Sequence, residues 1–159
     1  MAFLAQDFYL LVLVAALVVV VARYRARLLE LALAATVIGP TAFVLAKIGA
    51  GVISSPRPFT QSGVAPLITS AHDNGFPSDH TLLLGAVAAV VTVANRRLGL
   101  GFWALAAIVG LARVYAGVHH PINVLGSLVI AALALALYAA LRRLWVARGA
   151  ARTAPVSNI

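Results

Sequence analysis

The sequence predicts an all-α integral membrane protein, a helical bundle of about five transmembrane helices. Hydrophobic residues make up 63% of its 159 residues, charged residues make up only 10%, and the mean hydropathy is +1.02. These values exceed what a soluble domain of this length needs to fill a core, so the bilayer is the expected solvent. The chain has no cysteine, which excludes disulfides and thiolate metal sites.

Five apolar segments are long enough to cross a bilayer, since a crossing helix needs about 20 residues, with a range of roughly 17 to 25. They are residues 3–22, 28–53, 78–95, 98–117 and 122–146. We expect the first segment to be retained in the membrane rather than removed as a secretory signal. A signal peptide carries its positive charges before the apolar run, whereas here they follow it.

Two further features concern the second apolar segment and the C-terminal end of the chain. Pro40 lies inside the second segment, where it removes a backbone hydrogen bond and is expected to bend the helix. From Gly149 onward the chain has small, polar and proline residues without apolar periodicity. We therefore expect one transmembrane domain over residues 1–148 and a flexible cytoplasmic tail over residues 149–159.

Arginines cluster in alternate connections between these segments, so these connections share one side of the membrane. Positively charged short loops are retained on the cytoplasmic side, and the remaining connections are therefore expected to face outward. The residues assigned to the cytoplasmic side are Arg23, Arg25, Arg27, Arg96, Arg97, Arg142, Arg143, Arg148 and Arg152.

Three basic residues, Lys47, Arg57 and Arg113, lie on or near the outward side, where topology gives no reason for them. Charged groups near a membrane that topology does not explain indicate a functional site. The histidines of the chain share that side: His72, His80, His119 and His120.

The outward polar groups belong to three segments that each lie at the end of a predicted helix. These segments are SSPRPF at 54–59, GFPSDHT at 75–81 and ARVYAGVHHPIN at 112–123. Arg57 and Arg113 come from different segments, and their planar, forked donors suit phosphate oxygens. The sequence therefore predicts a phosphate-binding site built from all three segments.

The second segment begins a helix. Pro77 disfavours helix before it and Ser78 is a good N-cap, so the N–H groups of the first turn are available to an anion. An ordinary structural cap explains Ser78 and Asp79 equally well. A helix cap has no need of the imidazole of His80, so capping does not explain this residue.

Together the three segments resemble the ordered motifs of the type 2 phosphatidic acid phosphatase family. The family pattern is a lysine and an Arg-Pro pair, then Pro-Ser-Gly-His, then Ser-Arg, five residues, His, three residues and Asp. Here Arg57 begins the Arg-Pro pair, residues 77–80 read PSDH, and Arg113, His119 and Asn123 have the intervals of the third motif. The similarity extends over about residues 47–127. The form FPSDHT resembles the branch that acts on undecaprenyl pyrophosphate.

The resemblance implies a lipid phosphatase of the inner membrane that needs no cofactor or metal and has its active site on the extracytoplasmic side. It implies that His119 attacks phosphorus to form a phosphohistidine, and that His80 protonates the leaving oxygen and later activates water. A neutral imidazole is nucleophilic near pH 7, and small changes in its surroundings can tune its protonation in that range. The residues expected to bind phosphate are Arg57, Arg113, Ser78, Lys47 and Asp79.

Three departures from the family pattern bear on activity. Ala50 occupies the position of the family lysine, and Lys47 lies one helical turn earlier. Ala112 replaces the serine before Arg113. Asn123 stands where the family has the carboxylate that orients the nucleophilic histidine, and an amide supplies no charge there. A slower enzyme is expected.

Other functions remain open from the sequence. Phosphatidic acid and phosphatidylglycerol phosphate are alternative substrates, and a weakened phosphatase could persist as a binding or structural protein. A metal-binding membrane protein would use the outward histidines, although Arg57 and Arg113 would repel a cation. Nucleic acid is not an expected partner, because the basic residues are not interleaved with aromatics on a polar face. The expected partners are a lipid phosphate or pyrophosphate and the bilayer.

Overall fold

Helices cover all five apolar segments in a computed structural model, which describes residues 2–153 and the side chains of residues 2–149. Two short helices accompany them, and a 3-10 turn at Arg25–Arg27 joins the second and third helices. In chain order the helices are α1 Ala2–Gln6, α2 Phe8–Tyr24, α3 Leu28–Val52, α4 Pro58–Ser62, α5 Asp79–Ala94, α6 Arg96–Tyr115 and α7 Pro121–Thr153. The described residues contain no strand beyond an isolated bridge between Pro56 and Asn74.

Three helical stretches of the described chain are long and apolar enough to cross a membrane: residues 8–52, 96–115 and 121–149. The first comprises α2 and α3, and α5 is apolar but only 16 residues long. Large apolar side chains cover the outside of the bundle; Leu29 is 75% exposed and Leu111 is 64% exposed. Such a surface suits lipid rather than water. The predicted all-α membrane bundle is confirmed.

Two helix boundaries differ from those expected. The first segment is interrupted at Asp7, which separates α1 from α2, because aspartate favours the start of a helix over its interior. At the other end, α7 continues to Thr153, past the predicted domain boundary at residue 148, since its alanines and arginines are good helix formers. Residues 154–159 of the predicted tail lie outside the described residues. Pro40 is inside α3, which runs unbroken around it.

α5 lies at the centre of the bundle and packs against α2, α3, α6 and α7. Its buried face is made of small and medium side chains that let the neighbouring helices approach closely. The buried residues of α5 are Thr81, Leu84, Gly85, Ala88, Ala89 and Val91.

α2 and α3 form a hairpin along α5. Tyr9, near the start of α2, contacts the ring of His80 at the start of α5, with 4.4 Å between ring centroids. At the far end, Arg27 Nη1 donates to Ala94 O at 2.9 Å, and Nη2 donates to Val93 O at 3.0 Å. These bonds satisfy carbonyls that the end of α5 leaves without helical partners.

The bundle therefore has two chemically distinct ends. Arg27 and Arg142 both pair with Glu30 at one end, at 2.8 and 3.0 Å. The opposite end carries the start of α5, the end of α6 and the connection from α3 to α5, which contain the three polar segments of the sequence.

The ring of Phe76 attaches this connection to the bundle. A Cβ atom at Gly49 of α3 would lie 2.8 Å from the ring, and a Cβ atom at Gly126 of α7 would overlap it. Phe76 is only 5% exposed. Both helices thus need glycine where the ring packs, and this contact fixes the position of the segment that leads into α5.

Candidate active site

His119 lies in the short connection between α6 and α7 and is 2% exposed. Gly117 has a left-handed φ of 76°, which ends the α6 region. Pro121 then begins α7, a position that proline favours because it needs no N–H there. The tight connection places the imidazole against the segment that precedes α5.

Both ring nitrogens of His119 have partners that select the same tautomer. Nδ1 lies 2.9 Å from the carbonyl oxygen of Gly75, which can only accept a hydrogen bond. Nε2 lies 3.4 Å from Nη1 of Arg57, which can only donate. The contacts therefore require the proton on Nδ1 and leave a lone pair on Nε2.

The surroundings of His119 also favour the neutral ring. Burial and the positive charges of Arg113 and Arg57 lower the pKa of His119 from 6.5 to about 3, against an opposing effect of the hydrogen bond to Gly75. A neutral imidazole with a free Nε2 lone pair is a nucleophile.

Arg57 lies directly before α4 and is 6% exposed. Its Nη1 donates to Val118 O at 3.1 Å. Its Nε and Nη2 both contact Oδ1 of Asp73, at 2.8 and 2.7 Å. Asp73 was not among the predicted site residues. The signal in the sequence that could have pointed to Asp73 as a site residue is the rarity of acidic residues, of which the chain has only 4.

Arg113, near the end of α6, is 7% exposed. Its Nη1 donates to Ala5 O of α1 at 2.7 Å, and its Nε is buried without a hydrogen-bond partner among the described residues. A buried donor left unsatisfied costs about 1–3 kcal/mol. An oxygen atom of a bound phosphate would satisfy it.

His80 lies in the first turn of α5, half-buried against the edge of Tyr9. The charges of Arg113 and Arg57 act on both His80 and His119. The structure thus brings together the two histidines and two arginines selected from the sequence. Tyr9 was not predicted, because it belongs to an apolar helix far from the motifs.

Ser78 is fully buried at the N-cap position of α5, but its side chain makes no capping hydrogen bond. Its Oγ instead accepts from Thr81 Oγ1 at 3.1 Å, and its carbonyl accepts from Ser127 Oγ at 3.0 Å. The capping interpretation of the Ser78 hydroxyl is therefore wrong. Asp79 is exposed, and its charge acts on Arg113.

Asn123 does not have the orienting role expected from its place in the motif. The carbonyl of Gly75 occupies the position beside His119 Nδ1, while Asn123 Oδ1 accepts from Ser55 Oγ at 2.9 Å. Asn123 Nδ2 is buried without a partner among the described residues. A backbone carbonyl cannot be recognised from residue types, which is why the motif alone suggested Asn123.

Lys47 does not join the predicted phosphate-binding residues. It is exposed on α3 with its Nζ 5.4 Å from the centroid of the Phe43 ring, a cation–π contact. The other two histidines lie beside the site: His72 packs against Phe59, and His120 Nε2 lies 3.2 Å from Pro56 O. Within residues 2–149, no three His, Asp or Glu side chains are grouped as a metal site requires.

Comparison with known proteins identifies a protein family and similar individual proteins. The sequence model of the PAP2 superfamily matches residues 27–146. The undecaprenyl-diphosphatase BcrC of Bacillus subtilis (strain 168) is 40% identical over 80 residues, which are 50% of this chain and 42% of that protein. The bacitracin transport permease protein BcrC of Bacillus licheniformis is 37% identical over 82 residues, 51% of this chain and 40% of that protein.

The matches to these two relatives thus cover less than half of each relative's length. The family model, in contrast, covers most of this chain and includes all three motif segments. The resemblance inferred from the motifs is confirmed, and the chain belongs to the PAP2 superfamily.

Proposed function

We propose that this protein is a membrane lipid phosphatase that hydrolyses a polyprenyl pyrophosphate, such as undecaprenyl pyrophosphate, to the monophosphate through a phosphohistidine. The observation that carries the proposal is the buried, neutral His119, whose Nε2 lone pair lies beside Arg57. The choice of lipid is supported by the name of the Bacillus subtilis relative, an undecaprenyl-diphosphatase. Residues 1–148 would form the single catalytic domain.

In the first step, Nε2 of His119 attacks the terminal phosphorus atom of the pyrophosphate. A P–N bond forms and the bond from phosphorus to the bridging oxygen breaks. His80, protonated in the substrate complex because the negative pyrophosphate favours its charged form, gives its proton to the leaving lipid monophosphate. In the second step His80 removes a proton from water, which attacks phosphorus. The P–N bond then breaks, orthophosphate leaves, and the ring of His119 returns to its neutral form.

The arginines supply the positive charge that this reaction needs. A phosphoryl group bonded to Nε2 would lie within reach of Nη1 of Arg57, and the unpartnered Nε of Arg113 would donate to another of its oxygens. The transferring group spreads negative charge over its equatorial oxygens, so fixed donors at these positions lower the barrier. No metal is needed in this scheme, because guanidinium groups provide the charge.

We place the site at the outer face of the inner membrane. The site is at the end of the bundle opposite to Arg27 and Arg142, and basic clusters favour the cytoplasmic side. A lipid pyrophosphate could then present its headgroup there while its chain stays in the bilayer.

The test is phosphate release from undecaprenyl pyrophosphate, phosphatidic acid and phosphatidylglycerol phosphate by the purified protein and its His119→Ala variant. We expect the pyrophosphate to be preferred and His119→Ala to lose at least about 1000-fold in kcat, because the variant lacks the group that attacks phosphorus. His72→Ala is the matched control, since this exposed imidazole contacts Phe59 and should leave turnover unchanged. Equal losses in both variants would overturn the role of His119.

A second candidate is a binding protein with little turnover, favoured by the uncharged Asn123, whose Nδ2 has no hydrogen-bond partner in the described part of the chain. The Bacillus licheniformis relative is named a transport permease protein, which also describes a non-enzymatic function. Tight binding of the lipid pyrophosphate without phosphate release from any of the three lipids would favour this candidate.

A further inference from the structure

We infer that Asn74 is a positioning residue, whose side-chain amide holds the carbonyl of Gly75 against Nδ1 of His119 and so fixes the tautomer of the nucleophile. The catalytic part of this inference rests on the proposed function. Its structural part, the control of the tautomer, does not. Neither the motifs nor the comparisons assign a role to Asn74.

The amide of Asn74 uses its full hydrogen-bonding capacity. Its Oδ1 accepts from the backbone N–H of Ser55 at 3.0 Å and from that of Phe76 at 3.2 Å. Its Nδ2 donates to the carbonyls of Ala50 at 3.0 Å and of Ile53 at 2.9 Å. An asparagine amide can accept two hydrogen bonds and donate two, so no capacity is left for another partner.

These four bonds join two parts of the chain. Ala50 is in the last turn of α3 and Ile53 directly follows that helix, whereas Phe76 follows Gly75 in the connection to α5. The backbone adds one direct bond, from Gly75 N to Ser55 O at 2.8 Å. Ser55 O thus holds the N–H of Gly75. Oδ1 of Asn74 holds the N–H of Phe76, which belongs to the same peptide group as the carbonyl of Gly75.

The space around Gly75 is as restricted as its backbone. A Cβ atom at this position would lie 2.9 Å from Nδ2 of Asn123 and 3.0 Å from Ser55 O. This position therefore has no room for a side chain, so the backbone of Gly75 can pack closely against Ser55 and Asn123. Loss of the Asn74 bonds would leave this segment held by the bond from Gly75 N to Ser55 O and by the packing of the Phe76 ring, so the peptide group could turn the carbonyl of Gly75 away from His119.

The consequence concerns the nucleophile. The 2.9 Å bond to Gly75 O keeps the proton on Nδ1 and the lone pair on Nε2. If the carbonyl moves away, the ring can adopt the Nε2–H tautomer, which has no lone pair directed at phosphorus. Asn74 would then affect the rate of the chemical step through His119, without touching the substrate.

The test combines long-range ¹H–¹⁵N NMR of histidine in the substrate-free protein with steady-state kinetics. We expect wild-type His119 to be the Nδ1–H tautomer and Asn74→Ala to populate the Nε2–H form. We also expect kcat to fall about 10- to 100-fold, as for a catalytic group displaced by about 1 Å, with KM almost unchanged.

Asn95→Ala is the matched control. Asn95 also accepts a backbone hydrogen bond, from Leu98 N at 3.1 Å, but it caps α6 at the opposite end of the bundle. This variant should lose some stability while keeping the tautomer and kcat of the wild type. The inference is wrong if Asn74→Ala keeps both, or if Asn95→Ala changes both equally.

If Asn74→Ala does not fold, Asn74→Asp provides the same test. A carboxylate can still accept from Ser55 and Phe76 but cannot donate to Ala50 and Ile53, so the same changes are expected at smaller size. A wild-type tautomer and kcat in this variant would overturn the inference. If the wild-type protein hydrolyses none of the lipids, the proposed function fails, whereas the NMR comparison still tests the positioning of His119.

Discussion

At the scale of the residue, the protonation state of His119 determines what the site can do. Burial, together with the positive charges of Arg113 and Arg57, disfavours a charged ring and lowers the pKa of His119 to about 3. A protonated ring would also place an N–H against Nη1 of Arg57. Neutrality is thus imposed by burial, charge and hydrogen-bond geometry together.

We therefore predict that His119 stays neutral from pH 8 to pH 5 in the substrate-free protein. The unfolded chain binds a proton at this residue below its ordinary pKa of 6.5, whereas the folded protein does so only near 3. The stability contribution of His119 is thus complete above pH 6.5 and declines as the pH falls toward 3. Histidine ¹⁵N NMR measures the titration, and His119→Ala identifies the resonance. A midpoint near pH 6.5 would contradict the prediction.

At this scale, residue types predicted some groups of the site and could not predict others. Arg57, Arg113, His80 and His119 were predicted because imidazole and guanidinium have few structural uses at a membrane interface. The partners of these groups were missed where the backbone provides them, as with the carbonyls of Gly75 and Ala5. Every residue has a carbonyl, so only the path of the chain reveals which one acts.

At the scale of the element, the segment before α5 is located by packing as well as by hydrogen bonds. Phe76 lies between Gly49 of α3 and Gly126 of α7, where neither helix has room for a Cβ atom beside the ring. Ser78 and His80 follow within four residues of Phe76. Any displacement of this ring is therefore transmitted to the start of α5.

We predict that Gly126→Ala destabilises the protein and lowers turnover. Alanine normally stabilises a helix by about 1 kcal/mol relative to glycine, but here its Cβ would overlap the Phe76 ring, and overpacking typically costs about 1–3 kcal/mol. Gly101→Ala in α6 is the matched control, because a Cβ there meets nothing within 4 Å. Thermal unfolding in detergent compares the two variants. A melting temperature for Gly126→Ala at or above that of Gly101→Ala would contradict the packing argument.

The helices themselves were largely predictable, because lipid requires long apolar runs with internally satisfied backbones. The boundaries of the helices were less predictable than the helices themselves. α7 continues past the last apolar residues because arginine and alanine favour helix outside the membrane as well. α5 has only 16 residues, from Asp79, directly after Ser78 at the N-cap, to Ala94, directly before Asn95 at the C-cap.

At the scale of the whole molecule, the bundle is polarised along its axis. One end contains Arg27, Glu30 and Arg142 in a charged network, and the other contains the buried groups around His119. The sequence predicted this separation from the alternation of arginine clusters. The orientation of the bundle in the membrane is part of the proposed function. This orientation determines which leaflet supplies the substrate.

We predict that the site end faces outward and the arginine-rich end faces the cytoplasm. The chain has no cysteine, so a single introduced cysteine gives labelling without background. Thr69→Cys lies exposed in the connection that carries the site, and Ala26→Cys lies exposed in the turn between α2 and α3. Neither substitution removes a charge that determines topology. In intact spheroplasts, a membrane-impermeant maleimide should label Thr69→Cys at once and Ala26→Cys only after detergent is added. Because the headgroup of the substrate must reach His119 from the leaflet at that end, the reverse pattern would place hydrolysis on the cytoplasmic leaflet and overturn the outer-face assignment.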